Sequence, residues 1–190
     1  MKKFGPLLVV GVIVIVLLAM LVPSYNGFVD KEENVGKAYA QVENQLQRRL
    51  DLIPNLVNTV KGYASQETDV IQSISDARAK LAGAETPSEQ ADADADLTGA
   101  LNRLLVVVES YPDLKSNENF QQLADELAGT ENRLTVARQD YNEEVATYNS
   151  SVKKFPGALI VKVFGFEEKE YFQSDEEADK APTVDFGEAE

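Results

Sequence analysis

Nineteen consecutive residues, Phe4 to Val22, carry no charge, and they follow the start Met1-Lys2-Lys3. From Leu7 to Val22 nearly every side chain is Leu, Val, Ile, Ala or Met. A helix of that length, at ~1.5 Å per residue, reaches about 28 Å, close to the hydrocarbon thickness of a bilayer. The run predicts a transmembrane anchor over residues 4–22 that holds the chain to the lipid bilayer. A cleaved signal peptide has the same basic start and apolar stretch, but it needs small residues just before the cut. The exit, Ala19-Met20-Leu21-Val22-Pro23-Ser24, has no A-x-A-like pair, which favours a retained anchor. Lys2 and Lys3 precede the run, whereas Asp30, Glu32 and Glu33 follow it with Lys31. The positive-inside rule then expects a single-pass protein of the cell membrane, with a cytoplasmic N-terminus and the remaining domain on the outer side.

The residues that are missing exclude much chemistry. The chain has no cysteine, histidine or tryptophan. Disulfides, thiolate nucleophiles and zinc-thiolate sites are out. So are Ser-His-Asp triads and the Glu-x-x-His motifs of di-iron bundles. The net charge of −14 repels phosphates, so no nucleic acid partner is expected. It also gives no electrostatic help in lying on anionic lipid. Acidity of this kind suits a salt-rich habitat as well as ordinary export. The eleven glycines are scattered, with no phosphate-binding loop among them.

After Pro23 the chain reads as helices. Proline and glycine are sparse between Val29 and Phe155, and apolar residues recur at steps of three and four. The spacing predicts a first long helix from about Val29 to Ala82, bent near Pro54 or divided there into two collinear helices. Thr86-Pro87-Ser88-Glu89 is a capping-box start for a second helix, running to about Ser110. Its early acids, Asp92, Asp94 and Asp96, read as a solvated first turn rather than a metal site, because carboxylates two apart diverge on a helix. After Tyr111-Pro112-Asp113-Leu114, Ser116 is the expected cap of a third helix, whose stripe runs from Phe120 through Leu127, Leu134, Tyr141 and Tyr148 to Val152. Gly157–Phe166 is apolar but too short to span. It reads either as a short fourth helix closing the core or as a membrane-touching segment, and core closure is favoured.

The fold class expected is therefore all-α: an N-terminal transmembrane helix followed by an antiparallel bundle of three long helices plus a short fourth. The domains are an anchor at 1–23, a helical bundle at 24–172 and an acidic disordered tail at 173–190.

Several polar strings sit inside these stripes. They include Arg48-Arg49-Leu50-Asp51-Leu52-Ile53-Pro54-Asn55-Leu56-Val57, then Lys61-Gly62-Tyr63-Ala64 and Glu67. Further on come Ala77-Arg78, Glu109-Ser110-Tyr111-Pro112-Asp113-Leu114-Lys115, Asn119-Phe120 and Thr130-Glu131-Asn132-Arg133-Leu134. The series closes with Ala137-Arg138, Tyr141-Asn142, Tyr148-Asn149, Phe155-Pro156, Phe164-Gly165-Phe166 and Tyr171-Phe172. In this order they resemble the LemA family of bacterial and archaeal membrane proteins, from Tyr25-Asn26 to Phe172. The resemblance implies a short N-terminus, one membrane helix and an antiparallel helical bundle. It implies no activity. Some relatives sit with membrane-organising systems and others neighbour membrane proteases, which suggests a scaffold or adaptor.

The polar residues have two readings. Arg48, Arg49, Asp51, Glu67, Arg78, Glu109, Glu131, Arg133 and Arg138 lie on or beside apolar stripes. They form either a carboxylate–arginine ligand site or interhelical pairs that fix register, and the second is favoured. Arg78 and Arg138 are expected to pair with Glu67, Glu109 or Glu131. Tyr141-Asn142 and Tyr148-Asn149 repeat at seven residues and share a face. They are read as hydroxyls and amides satisfied against nearby backbone or carboxylates, with a ligand surface as the alternative. Lys153-Lys154 is too small a patch for nucleic acid. No catalytic, cofactor-binding or metal-ligating residue is assigned, and no cofactor is expected. Paired Asp and Glu work in glycosidases, but a thin bundle without Trp is a poor host for such a cleft. The function expected is that of a membrane-anchored, non-catalytic scaffold acting by self-association or partner binding. The alternative is a small-ligand sensor using the Arg, Glu and Tyr residues. The first helix outruns its partners, so Val35, Val42, Leu46 and Leu50 should form an uncovered stripe. That stripe is the ground for expecting homo-oligomers, beside possible contacts with other membrane proteins.

Overall fold

A computed structural model describes residues 4–173, and within 4–20 the side chains of 8–12, 15 and 19. The described residues form an all-α protein. The helices are α1 (Phe4–Tyr63), α2 (Thr68–Ala82), α3 (Pro87–Val108), α4 (Pro112–Lys115), α5 (Glu118–Lys153) and α6 (Gly157–Phe164). The expected acidic tail lies outside the described residues, apart from Gln173.

Helix α1 differs from expectation at both ends. It begins in the apolar run, so Phe4–Val22 and the following polar segment are one helix. It passes through Pro54 unbroken and stops at Tyr63, after which Thr68 starts α2. Pro54 has no N–H to give the carbonyl of Leu50 one turn earlier. That carbonyl instead accepts from Arg78 Nε on α2 at 3.0 Å. A side chain from the neighbouring helix thus replaces the missing helical donor. Among the described residues no helix is long and apolar enough to cross a membrane. The structure shows the helical path of Phe4–Val22, not its insertion.

The described residues divide into two compact units, 4–44 with 134–170, and 45–133 with 171–173. In the first unit the early part of α1 and the late part of α5 run antiparallel. Lys31 Nζ donates to Ser151 Oγ at 2.5 Å, and the rings of Tyr39 and Tyr141 lie 5.4 Å apart. Phe28, Val35, Val42, Ala137, Val145, Tyr148, Val152 and Ile160 make the core of this unit. Helix α6 follows a cis Phe155–Pro156 peptide and ends at Gly165, whose φ of 77° is the left-handed conformation that favours glycine. At the start of α6, Gly157 sits hard against α1 and α5. A methyl there would overlap the Ser151 carbonyl oxygen and come within 2.7 Å of Phe28 Cζ.

In the second unit the late part of α1, then α2, α3 and the early part of α5, form an up-down bundle. Lys80 of α2 pairs with Asp96 of α3 at 2.6 Å across the hairpin. The expected capping box is present. Thr86 Oγ1 accepts from Glu89 N, and the Glu89 carboxylate accepts from the Thr86 and Glu85 amides. Those two backbone donors hold the Glu89 carboxyl below its usual pKa. The short α4 precedes α5, and Asn117, not Ser116, caps α5, its Oδ1 accepting from Phe120 N at 3.0 Å.

The stripe expected to be uncovered is buried. Val35 and Val42 are in the core of the first unit, and Leu46 and Leu50 in that of the second. The reason is the break after Tyr63. It turns the last part of the anticipated first helix into a separate packed element, α2, and the surplus length vanishes. Exposed apolar surface on this segment therefore gives no ground for self-association.

Candidate functional site

The most concentrated chemistry in the second unit surrounds Arg49. Leu46, Arg49, Leu50 and Ile53 follow helical spacing along the buried side of α1, so Arg49 points inward with the apolar residues. On α3 the buried positions are Gln90, Ala91, Ala93, Asp94 and Leu97. The two alanines let α3 approach closely and leave room for a long side chain. Arg49 Nη1 donates to Asp94 Oδ1 at 2.5 Å and also pairs with Glu131 of α5. Its Nη2 donates to Thr98 Oγ1 at 3.1 Å. The side chains of Arg49 and Asp94 are 3% and 2% exposed. Three helices are thereby fixed in register by one guanidinium, as expected of a paired buried charge.

Beside this cluster lies a cavity of about 230 Å³, lined mainly by Leu56, Leu101, Leu104, Leu105, Phe120 and Leu127, with Arg49, Thr98, Asn102 and Glu131 as its polar members. Arg49 Nε is buried without a hydrogen-bond acceptor among the described residues.

The other sequence candidates are dispersed. Arg48 pairs with Glu126 at 3.3 Å on the surface, and Asp51 accepts from Gln47. Glu67 accepts from the Tyr111 hydroxyl at 2.8 Å, and that carboxylate raises the pKa of Tyr111. Glu109 pairs with Lys115. Arg133 donates to Gln45 and Thr130. Arg78 was expected to take a carboxylate and takes the Leu50 carbonyl instead, because Pro54 leaves that acceptor vacant. Arg138 is half-buried in the first unit. Asp94 corrects the reading of Asp92, Asp94 and Asp96 as a solvated turn. Asp92 and Asp96 are exposed, but Asp94 is inside. The signal was available: extending the Leu97, Leu104 and Val108 stripe back by three lands on Asp94.

In the first unit the tyrosine–asparagine repeat straps down the segment after α6. The Tyr141 hydroxyl donates to the Glu170 carbonyl at 2.7 Å. Asn149 makes a reciprocal pair with Lys169, donating to its carbonyl and accepting from its amide, both at 2.8 Å. Lys169 Nζ lies over the Tyr148 ring and pairs with Glu32 of α1 at 2.5 Å. Burial first, then the charges of Tyr39 and Glu170, push the Tyr141 hydroxyl up to about 12. Burial and the Glu32 and Glu167 carboxylates raise Tyr148. Asn142 is half-buried, and Lys153 pairs with Glu168. These residues hold chain to chain.

The family model described as the LemA family matches residues 38–186. The chain belongs to the LemA family. Similar chains include magnetosome protein MamQ 2 of Paramagnetospirillum magneticum, 30% identical over 194 residues, spanning 88% of this chain and 71% of that protein. Magnetosome protein MamQ of Magnetospirillum gryphiswaldense is 28% identical, over 83% of this chain and 68% of its own length. Protein LemA of Metamycoplasma hominis is 23% identical, over 68% and 60%. Of the polar strings that carry the LemA resemblance, Arg49 pairs α1 with α3 and α5, Arg48 and Arg133 join α1 to α5, and Arg78 joins α2 to α1.

Proposed function

We propose that this LemA-family protein is a membrane-anchored, non-catalytic scaffold or adaptor, held by residues 4–22 with its bundle at the bilayer surface. The observation that carries the anchor is the exposure of Leu8, Val9, Val10, Val12, Ile15 and Val22 along the uncharged first stretch of α1, Phe4–Val22. Successive residues 8 to 10 already point in three directions, so no one-sided partner within the chain accounts for them. A helix apolar all round is at home in lipid. Lys2 and Lys3 before the run support a cytoplasmic N-terminus and a single-pass arrangement. The candidate polar residues pair with one another and with backbone, which supports a structural role for them. Relatives named as magnetosome proteins agree with this reading, since that name states a cellular structure and not a reaction.

Homo-association enters the proposal through the anchor alone. Confinement to two dimensions raises effective concentration and favours weak lateral contacts. Crosslinking the full chain in its native membrane, followed by mass spectrometry, tests the scaffold. Reproducible crosslinks to defined membrane proteins or to further copies are expected. An uncrosslinked chain that co-purifies with one small molecule would overturn it.

That outcome belongs to the second reading, a small-ligand sensor, which the cavity beside Arg49 favours. Its mostly apolar wall, with Arg49, Thr98, Asn102 and Glu131 as polar members, suits a small, largely apolar molecule with a polar end.

A further inference from the structure

Helix α6 buries only part of its surface. Gly157 and Ile160 face the core, whereas Leu159, Val163 and Phe164 are 55%, 74% and 52% exposed, and Phe155 just before the helix is 78% exposed. Leu159 and Val163 are spaced by four on α6, so they share one face, and Phe155 is exposed in the turn that leads into the helix. A face this apolar on so short a helix is unusual for a surface left in water.

The helix is docked at one particular level of α1. The Phe164 ring lies 4.8 Å from Tyr25, and Phe166 lies 5.8 Å from Tyr25 and 5.4 Å from Phe28. Gly157, at the other end of α6, abuts Phe28. Tyr25 is three residues beyond Val22, about 4.5 Å along the helix. The C-terminal end of α6 therefore meets α1 within one turn of the apolar run.

We propose that α6 dips into the membrane. Its exposed Leu159, Val163 and Phe164, with Phe155 in the turn before them, insert at the boundary between headgroups and acyl chains of the same bilayer that residues 4–22 span. This rests on the anchor reading above. Lys162, exposed on the same helix, has a stem long enough to lie along the apolar face and place its ammonium among headgroups. Tyr25, partly exposed at the junction, has the amphipathic ring that settles at such a boundary. The chain's acidity offers no attraction to anionic lipid, so insertion depends on apolar contact and works on zwitterionic membranes. Three points of attachment, the anchor, Tyr25 and α6, would fix the tilt and rotation of the bundle, which a lone helix leaves loose.

Because the chain lacks cysteine, single labels report unambiguously. Full-length Val163→Cys, Ile15→Cys and Asp140→Cys variants carry an environment-sensitive fluorophore in phosphatidylcholine vesicles, with and without lipids bearing a nitroxide near the headgroup, or midway along the acyl chain for the Ile15 label, which sits near the centre of the span. Asp140 neighbours Tyr141, which packs on Tyr39. Tyr39 lies about 25 Å beyond Val22 along the helix, so that label should stay bright. The Val163 label is expected to lose most of its emission to the nitroxide lipid. An unquenched Val163 label beside a quenched Ile15 label would overturn the insertion of α6 and leave the anchor standing. A blue-shifted but unquenched Val163 label would mean that protein, such as a second copy, covers the face, and would also overturn it. An unquenched Ile15 label would remove the anchor and this inference together.

Discussion

Arg78 Nε donates to the carbonyl of Leu50, the acceptor that Pro54 cannot serve, at 3.0 Å. The proline and the arginine are far apart in sequence and solve one problem between them. Arg78→Ala should orphan that carbonyl and cost about 1–3 kcal/mol, the range for a buried acceptor left without a donor. In a Pro54→Ala background the helix supplies its own N–H, and the same change should cost much less. Urea unfolding of the four variants gives the coupling. Equal costs in both backgrounds would show that Arg78 does not serve the proline gap.

The buried pair of Arg49 and Asp94 makes a sharper demand on stability. Arg49→Ala leaves Asp94 charged and sealed from water, so a loss of about 3–5 kcal/mol is expected. Arg49→Met with Asp94→Leu should recover most of it, because an apolar pair needs no compensation. Thermal unfolding followed by circular dichroism reads both. An unchanged midpoint for Arg49→Ala would mean that the site is wet.

Gly157 is where α6 touches the rest of its unit. Gly157→Ala should cost about 1–3 kcal/mol by overpacking, since neither the Ser151 carbonyl nor the Phe28 ring has space to yield. Limited proteolysis should then cut between 155 and 170 faster than in the parent chain. Parent-like cutting would show that the contact relaxes cheaply.

Alkaline pH should loosen the strap on α5. An ordinary tyrosine releases its proton near 10, but folded Tyr141 holds its proton to about 12. Between these values the unfolded chain has lost a proton that the folded chain keeps. Stability is therefore full below pH 10 and falls as pH rises towards 12. Tyr141→Phe should flatten this part of the profile. Ultraviolet titration should show late tyrosine ionisation in the parent that is lost in Tyr141→Phe. Ionisation of every tyrosine near 10 with the helices intact would contradict the burial.

Much of the fold was legible because helical periodicity is a strong signal. The capping box at Thr86 and Glu89, the α5 stripe and the short α6 all follow from residue spacing. The break after Tyr63 was not, because Pro54 is the stronger breaker by letter and the group that rescues it, Arg78, comes from another helix. The partner of Arg78 is a backbone carbonyl, which no letter marks. Asp94 was misread because its neighbours Asp92 and Asp96 are exposed and the alternation suggested one shared environment. The apolar stripe from Val35 to Leu50 was visible, but what covers it depended on where the first helix ends.

The anchor is tested most directly by alkaline carbonate extraction of membranes from cells making the full-length chain, with the N-terminus of the extracted protein read by mass spectrometry. The intact chain, starting at or next to Met1, is expected to stay in the membrane pellet. Release into the supernatant, or a mature form beginning near Ser24, would contradict a bundle held to the bilayer by Phe4–Val22.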